Sequence, residues 1–371
     1  MRRLRVIVAG ADVAGLEAMF ALRALAGAHV DVTLIAANRY FEYRPVQVRD
    51  PLAVHARVRV PLTYLVGAGD LRYDRVVAVD AAARRAHTAA GLELPYDALL
   101  IADRAVPREV AAGAHPLDDA HASECGAVIS ELLTGRSASL AFIDPAAPTD
   151  PFDLYDLAID TAVALRREGR AATLTLVTAA PAPLAILGGR AAAALQETLG
   201  AHGLHVLTSA CVRSVATPEL GLTAHTERVA ADRVIAAPRL DGPRIDGLPC
   251  DRHGFLATDV YGRVPHADAI FAAGGCTSFP VKHPSIAAQQ AGAAAASIAA
   301  DAGAQVAPHP FTPVLRCILP SRLRWYVEAP LTGGLGDATR ISAHPLWSRQ
   351  LRFDAPYLAP HLDPATDALA S

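Results

Sequence analysis

The chain has 371 residues, of which 52% are hydrophobic and 19% are charged. This composition excludes a largely disordered chain, and the length is sufficient for two domains with a large core. The formal net charge is −3, so the chain offers no overall positive field that could hold a nucleic acid, and we expect no such partner.

The chain opens with the pattern of a βαβ unit. Residues 5–9 form a short β-branched run that is typical of a buried parallel strand, and residues 30–35 form a second one. Between them, the turn at residues 10–15 holds two glycines, and an apolar helical pattern follows over residues 16–25. A glycine-bearing turn between a strand and a helix is typical of dinucleotide-binding folds.

A second α/β block follows the first. We expect an antiparallel excursion over residues 73–94, and then strands that alternate with helices between residues 140 and 236. A strand at 269–274 and an alanine-rich helix at 285–300 follow, and we find no internal repeats. The tail beyond this helix is rich in proline and aromatic residues and lacks a clear period.

Cysteines and histidines give no sign of a disulfide framework or a metal site. The five cysteines are spread along the chain without a Cys-x-x-Cys pair. The tightest histidine pair, His202 and His205, has no third ligand nearby in the sequence, so we expect no bound metal.

No run of residues approaches the roughly 18 apolar residues that a membrane-spanning helix needs. The first few residues resemble a signal peptide, but Asp12 and Glu17 interrupt the apolar stretch. We therefore expect a cytoplasmic protein, with at most a peripheral contact to a membrane.

Several stretches together resemble a known enzyme family. They are Val-Ile-Val-Ala-Gly at 6–10, Tyr-Phe-Glu-Tyr-Arg-Pro at 40–45, Leu-Pro-Tyr-Asp-Ala-Leu at 94–99, and Phe-Ala-Ala-Gly-Gly-Cys-Thr-Ser-Phe-Pro-Val-Lys at 271–282. In this order they are similar to the FAD-dependent pyridine nucleotide-disulfide oxidoreductases, in the branch of the type II NADH dehydrogenases and sulfide:quinone oxidoreductases. The resemblance covers nearly the whole chain.

The resemblance implies an α/β fold with two Rossmann-like, three-layer domains and a C-terminal extension. The FAD-binding-like domain is discontinuous, over residues 1–105 and 236–302, the NAD(P)-binding-like domain spans 106–235, and the extension spans 303–371. The resemblance also implies an FAD groove, formed at the positions Gly10, Ala11, Asp12, Gly15, Ala36, Arg44, Asp103, Arg104, Gly274, Gly275 and Gln289.

Four features of that groove depart from the family pattern. The first turn has Asp12 where the pyrophosphate needs a glycine, and the second strand ends in Ala36 in place of an acidic ribose partner, for which Asn38 is a weak substitute. Arg104 replaces the glycine of an Ala-Thr-Gly loop, and Gly275 replaces the aspartate that binds the ribityl chain. Because all four changes face the cofactor, we expect FAD binding to be weak or lost.

Asp12 and Arg104 indicate what fills the groove instead. Like charges about 4 Å apart cost roughly 1 kcal/mol in water and about 4 kcal/mol at an effective dielectric of 20, so a carboxylate here repels a pyrophosphate. We predict that the Asp12 carboxylate takes the place of a phosphate, caps the helix and pairs with Arg104. Two alternatives stay open: Asp12 turns outward and FAD still binds, or Arg104 is an ordinary surface arginine.

Other redox chemistry has less support. Residues 142–151 hold too little glycine to cradle the phosphates of NAD(P)H, so use of NAD(P) is not supported. Relatives carry a reactive cysteine at about the position of Asp150, and Cys317 falls in the segment of another, although a lone cysteine is usually a buried apolar residue. We therefore do not expect disulfide chemistry.

The only lysine of the chain, Lys282, ends the best-matching stretch and is followed by His283. A lysine can titrate when it is buried, whereas an arginine cannot, so these two residues are the predicted catalytic acid/base pair of the cleft. The alternative is that Lys282 is a chance survivor in an arginine-rich composition.

Two functional hypotheses result. In the first, which the altered groove favours, the chain is an oxidoreductase-like protein with a degenerate FAD site. Its cleft then takes a small-molecule ligand, either in a binding or regulatory subunit or for cofactor-free acid/base chemistry. In the second, the chain is an FAD-dependent oxidoreductase that passes electrons to a quinone-like or small-molecule acceptor. We expect the aromatic tail to pack across the domains or to contact a second copy or a partner subunit.

Overall fold

Strands and helices alternate along most of the chain. The computed structural model describes residues 2–43, 57–108, 112–146, 149–216, 219–223, 229–319, 325–331, 338–347 and 352–362. Within these ranges the helices are α1 (Val13–Ala26), α2 (Leu62–Val66), α3 (Ala122–Leu133), α4 (Phe152–Arg167), α5 (Gly189–Ala201) and α6 (Pro284–Asp301). Arg44 lies outside the described residues, so its place in the groove stays a prediction.

The strands in the same ranges are β1 (Leu4–Ala9), β2 (Val30–Ala36), β3 (Tyr40–Tyr43), β4 (Val58–Pro61), β5 (Leu71–Tyr73), β6 (Val76–Asp80), β7 (Arg85–Thr88), β8 (Glu93–Pro95), β9 (Ala98–Ile101), β10 (Val106–Arg108), β11 (His115–Pro116), β12 (Ser139–Asp144), β13 (Thr173–Thr178), β14 (Leu204–Leu207), β15 (Cys211–Ala216), β16 (Glu219–Thr223), β17 (Val229–Ala230), β18 (Arg233–Ala236), β19 (Arg239–Asp241), β20 (Ile270–Ala272), β21 (Val314–Leu319), β22 (Trp325–Pro330) and β23 (Arg340–Ser342).

The first half of the fold is built on a five-stranded parallel sheet in the order β20-β9-β1-β2-β5. Successive side chains of a strand point to opposite faces. Val6 and Val8 therefore pack under α1 and α6, whereas Ile7 and Ala9 pack on the other face. That face is covered by the antiparallel sheet β6-β7-β8, which completes three layers.

The second half repeats this architecture with the parallel order β11-β18-β12-β13-β14. Helices α3, α4 and α5 cover the face that includes Phe142, and the antiparallel sheet β15-β16-β17 covers the face that includes Ile143. The predicted α/β class with two Rossmann-like units is thereby confirmed. The exact domain boundaries stay a prediction.

The chain passes between the two halves twice, at β10 and at β19. These two strands pair with each other in an antiparallel ribbon, with Pro107 opposite Leu240. The outgoing and returning passages therefore run side by side.

The tail forms the antiparallel sheet β21-β22-β23, although its sequence shows no clear period. Leu315 and Cys317 pack into the core of the second half. Gln289 of α6 holds the first of these strands, because its Nε2 donates to the Val314 carbonyl at 2.7 Å and its Oε1 accepts from the Val314 N–H at 3.0 Å. The tail thus packs across both halves, which was one of the predicted arrangements.

A buried carboxyl group on α1 fastens the C-terminal segment. Glu17 is fully buried, and its Oε1 accepts from the Tyr357 N–H at 3.0 Å while its Oε2 accepts from the Leu358 N–H at 2.7 Å. Burial raises the pKa of Glu17 to about 7, although the two hydrogen bonds oppose this rise. Among the described helices, none combines the length and the apolar composition needed to cross a bilayer.

We expect Glu17 to make the protein less stable as the pH rises from about 4.5 to about 7. Over this range the folded chain keeps a proton on Glu17 that the unfolded chain releases, and one such group changes the free energy of unfolding by up to about 1.4 kcal/mol per pH unit. Urea unfolding at several pH values measures this slope. Glu17→Gln should reduce it, whereas Asp31→Asn, an exposed control on β2, should leave it as in the native protein.

Candidate functional site

The turn between β1 and α1 has the tight geometry of a dinucleotide-binding turn. Gly10 has a φ of +111°, and a Cβ on it would lie 2.4 Å from the carbonyl oxygen of Ala102. A Cβ on Gly15 would lie 1.9 Å from the carbonyl oxygen of Gly10. Both positions therefore require glycine, because the strand, the helix and the loop after β9 approach one another here.

Asp12 and Arg104 form the predicted ion pair across this turn. The Arg104 Nε donates to Asp12 Oδ2 at 3.0 Å, and the charge of Asp12 raises the pKa of the Arg104 guanidinium. Asp12 occupies the N-cap position of α1, but its side chain makes no capping hydrogen bond. The predicted cap is wrong because the carboxylate faces Arg104 instead. With 54% of the Arg104 side chain exposed, the pair contributes at most about 1 kcal/mol to folding.

Gly275 lies against the loop that bears Arg104. A Cβ on Gly275 would be 2.6 Å from the Ala105 nitrogen and 3.3 Å from the Arg104 Cα. The neighbouring Gly274 donates its N–H to the buried Gln290 Oε1 at 2.8 Å, which fixes the turn from the other side. The backbone of this loop therefore occupies the space that a side chain at position 275 would need.

Two cavities meet at the Asp12–Arg104 pair, which lines both of them. The larger, of about 660 Å³, also borders Gly274, Gly275, Lys282 and His283. The smaller, of about 510 Å³, borders Gly10, Ala11, Asn38 and Asp103. Glu42, Ala105 and Pro107 also line both cavities, so the two adjoin along this part of the predicted groove.

The ribose end of the groove contains no acidic residue at the end of β2. Ala36 is fully buried as the last residue of that strand and lines neither cavity, whereas Asn38 lines the smaller one. Asp103 lines the smaller cavity as well, and burial raises its pKa to about 6.

Lys282 lines the larger cavity, but its ammonium group contacts the wall. Its Nζ donates to the Thr277 carbonyl oxygen and lies 3.9 Å from the centre of the Phe255 ring. Burial lowers the pKa of Lys282 to about 8. Since neither Thr277 nor Phe255 lines the cavity, these contacts hold the ammonium group among wall residues.

His283 caps α6. Its Nδ1 accepts from the Ser285 N–H at 3.2 Å, and its ring packs edge-on against Phe152 with 4.8 Å between the ring centres. Burial, together with the charge of Arg352, lowers the pKa of His283 to about 3, so the ring is neutral at pH 7. The acid/base role of Lys282 and His283 stays a prediction, while both have defined structural contacts. Gln289 lines neither cavity, because its amide is bonded to the tail.

Charged residues that sequence motifs did not indicate line the larger cavity. Arg57 lies 3.1 Å from Asp119, which lies 3.7 Å from Arg104. Asp153 lies 3.6 Å from Arg57 and 3.5 Å from Arg352. No local pattern could reveal these contacts, because the residues are far apart in the sequence. These contacts form a continuous series, which we call the ion-pair chain. In order, its members are Asp12, Arg104, Asp119, Arg57, Asp153, Arg352 and Asp156.

The two positions where relatives carry reactive thiols also border the larger cavity. One is Asp150, whose pKa is raised to about 7 by burial and by the charge of Asp153. The other is Cys317, a buried thiol whose pKa burial raises well above its usual range. The described part of the chain contains no group of three or more His, Cys, Asp or Glu side chains placed to hold a metal ion.

We expect Gly275→Ala to lower the free energy of unfolding by about 1–3 kcal/mol, because the new methyl group meets the Ala105 nitrogen. Gly126→Ala in α3 is the matched control. A Cβ there has no neighbour within 4 Å, so the change should be neutral or stabilising by up to about 1 kcal/mol. Chemical denaturation measures the free energy of unfolding of both variants. Equal free energies would contradict the close approach at Gly275.

We also expect His283→Ala to destabilise the protein by about 0.5–2 kcal/mol, because α6 loses its N-terminal cap. Asparagine is among the best capping residues, so His283→Asn should recover most of this loss. Thermal unfolding of the two variants measures the difference. If asparagine were no better than alanine, the cap would not be the contribution of His283.

Known proteins share parts of this architecture. Residues 156–303 match the family model of the pyridine nucleotide-disulphide oxidoreductases. No curated protein matches the chain at the level of sequence.

Solved structures share the fold. The sulfide:quinone oxidoreductase of the hyperthermophilic bacterium Aquifex aeolicus has a TM-score of 0.80 at 18% identity, over 92% of this chain and 87% of that one. Putidaredoxin reductase, in its covalent complex with putidaredoxin, has a TM-score of 0.65 at 19% identity, over 88% and 81%. The ferredoxin reductase for the CYP199A2 system from Rhodopseudomonas palustris has a TM-score of 0.64 at 16% identity, over 89% of each chain. The chain therefore shares the fold of these reductases, and its residues 156–303 match the pyridine nucleotide-disulphide oxidoreductase family model.

Proposed function

We propose that the chain is an oxidoreductase-like protein whose FAD site is degenerate, so that FAD binds weakly or not at all and the cleft takes a small-molecule ligand instead. The observation that supports this most strongly is the ion pair between Asp12 and Arg104 at the first turn. In this proposal, the chain's own carboxylate and guanidinium take the place of a pyrophosphate and its binding groups.

The residues of the groove fit FAD poorly at each part of the cofactor. At the pyrophosphate position, the Asp12 carboxylate adds a negative charge to the two that the pyrophosphate itself would bring to the helix N-terminus. At the ribityl chain, the Arg104 loop lies within contact of the Gly275 position and leaves no room for a carboxylate. At the ribose, Ala36 is buried and offers no hydrogen-bond acceptor on its side chain.

The second hypothesis, an FAD-dependent oxidoreductase, draws its support from what the turn retains. Gly10 and Gly15 keep the tight approach of β1 and α1, and Gln290 still holds the Gly274 turn. The acceptor would then be a quinone-like or other small molecule. In this case Asp12 and Arg104 would separate when the cofactor enters.

An absorption spectrum distinguishes the two hypotheses. The purified protein is incubated with excess FAD and desalted, and the oxidised flavin bands are recorded before and after. We expect no bands to survive desalting. Bands that survive in a one-to-one ratio with the chain would overturn the proposal and establish the FAD-dependent alternative.

Removal of the Asp12 charge tests the physical reason. We expect Asp12→Gly to tighten FAD binding by about tenfold, which corresponds to about 1.4 kcal/mol, because the like charge at the pyrophosphate is gone. Asp31→Asn removes a carboxylate on β2 that lines neither cavity, and it should leave the FAD affinity unchanged. An Asp12→Gly protein with native FAD affinity would show that Asp12 does not oppose the cofactor.

A further inference from the structure

Asp153 makes two long contacts within the ion-pair chain. Asp153 lies between Arg57 and Arg352, at 3.6 Å and 3.5 Å. Arg57 holds Asp119 at 3.1 Å, and Arg352 has a closer contact with the fully buried Asp156. Both arginines therefore keep a nearer carboxylate if Asp153 leaves.

The Asp153 side chain is also placed so that it can turn away from the two arginines. It lies in the first turn of α4, and 38% of its side chain is exposed, against 11% for Arg352. A guanidinium has five N–H donors in a planar fork, so each arginine can offer an edge to a new acceptor after Asp153 turns toward water. The N-terminus of α4 favours negative charge at the same place.

The charge around the larger cavity favours an anion that replaces one of the carboxylates over an anion that binds in addition to all of them. Among the described residues that line it, six are carboxylates and four are cationic: Asp12, Glu42, Asp118, Asp119, Asp150 and Asp153, against Arg57, Arg104, Lys282 and Arg352. Even with Asp150 partly protonated, since its pKa is raised to about 7, five carboxylates face four cations, so an added anion would meet an excess of negative charge. An anion that replaces one carboxylate leaves the balance unchanged. The contacts of Asp153 with Arg57 and Arg352, at 3.6 Å and 3.5 Å, are longer than the 3.1 Å contact between Arg57 and Asp119.

The walls of the cavity indicate the rest of the ligand. Phe152, Val281, Ile318 and Phe353 line it beside the two arginines, in a volume of about 660 Å³. An apolar body can pack against these side chains while a terminal oxyanion meets the guanidinium groups.

We propose that the larger cavity binds a small organic molecule with an apolar body and a single carboxylate or phosphate group, and that this group replaces the Asp153 carboxylate between Arg57 and Arg352. This inference rests on the proposed function, because a ligand of this kind needs the cavity that FAD would share. Without a ligand, the Asp153 carboxylate occupies the position that the ligand anion takes.

Isothermal titration with three probes tests the exchange: benzoate, phenyl phosphate and the uncharged benzyl alcohol. At least one of the two anions should bind, and the stronger identifies the preferred group. Asp153→Asn should tighten that binding by roughly tenfold, since one competing charge at a partly exposed site is removed. It should not alter the response to benzyl alcohol.

Arg57→Gln should weaken binding of the same anion by roughly tenfold or more, because a charge-assisted contact is lost. Arg352→Gln should do so as well, but Arg352 is largely buried, so Arg57→Gln is the deciding variant. Two controls should behave like the native chain: Asp31→Asn, and Arg85→Gln, which removes an exposed arginine whose partner Glu93 also lines neither cavity.

Absence of binding by both anions in the native chain and in Asp153→Asn would overturn the inference. Unchanged or weaker anion binding in Asp153→Asn would overturn it too. The flavin absorption of the same samples is recorded separately. A chain without flavin that binds neither anion contradicts only this inference, whereas retained flavin contradicts the proposed function itself.

Discussion

The contact between the Asp12 carboxylate and Arg104 lies where the two cavities of this molecule meet. The carboxylate lies at the turn where β1 meets α1, at a helix N-terminus that favours an anion, and it pairs with Arg104 from the loop after β9. That loop in turn lies against Gly275, so an electrostatic contact and a close backbone approach occur side by side here.

The same principle extends along the larger cavity. Carboxylates and guanidinium groups alternate from Asp12 to Asp156, and the contacts join the first turn, the segment before α3, the start of β4, helix α4 and the C-terminal segment. Individually, exposed ion pairs contribute little to folding. Together they place charges of both signs along the wall of the larger cavity.

Local patterns were sufficient to predict the framework. The β-branched run of β1 and the alanine-rich pattern of α6 appear within a few residues of their expected ends, since both depend on periodicity. The Asp12–Arg104 contact was also predictable, because the family motifs place both residues at the same turn. Contacts that depend on distant partners were not. Nothing near His283 indicates that its ring caps α6, and nothing near Gln289 indicates that its amide binds Val314. Likewise, Arg57, Asp153 and Arg352 come together only in the folded chain.

The ribbon of β10 and β19 has a mechanical consequence. Two separate linkers would allow the halves to swivel independently, but here both passages of the chain are hydrogen-bonded side by side and must bend together. In this ribbon Pro107 lies opposite Leu240. Both residues line the larger cavity. The ribbon that joins the halves is therefore part of the wall of the larger cavity, so a change in the angle between the halves would alter the shape of that wall directly.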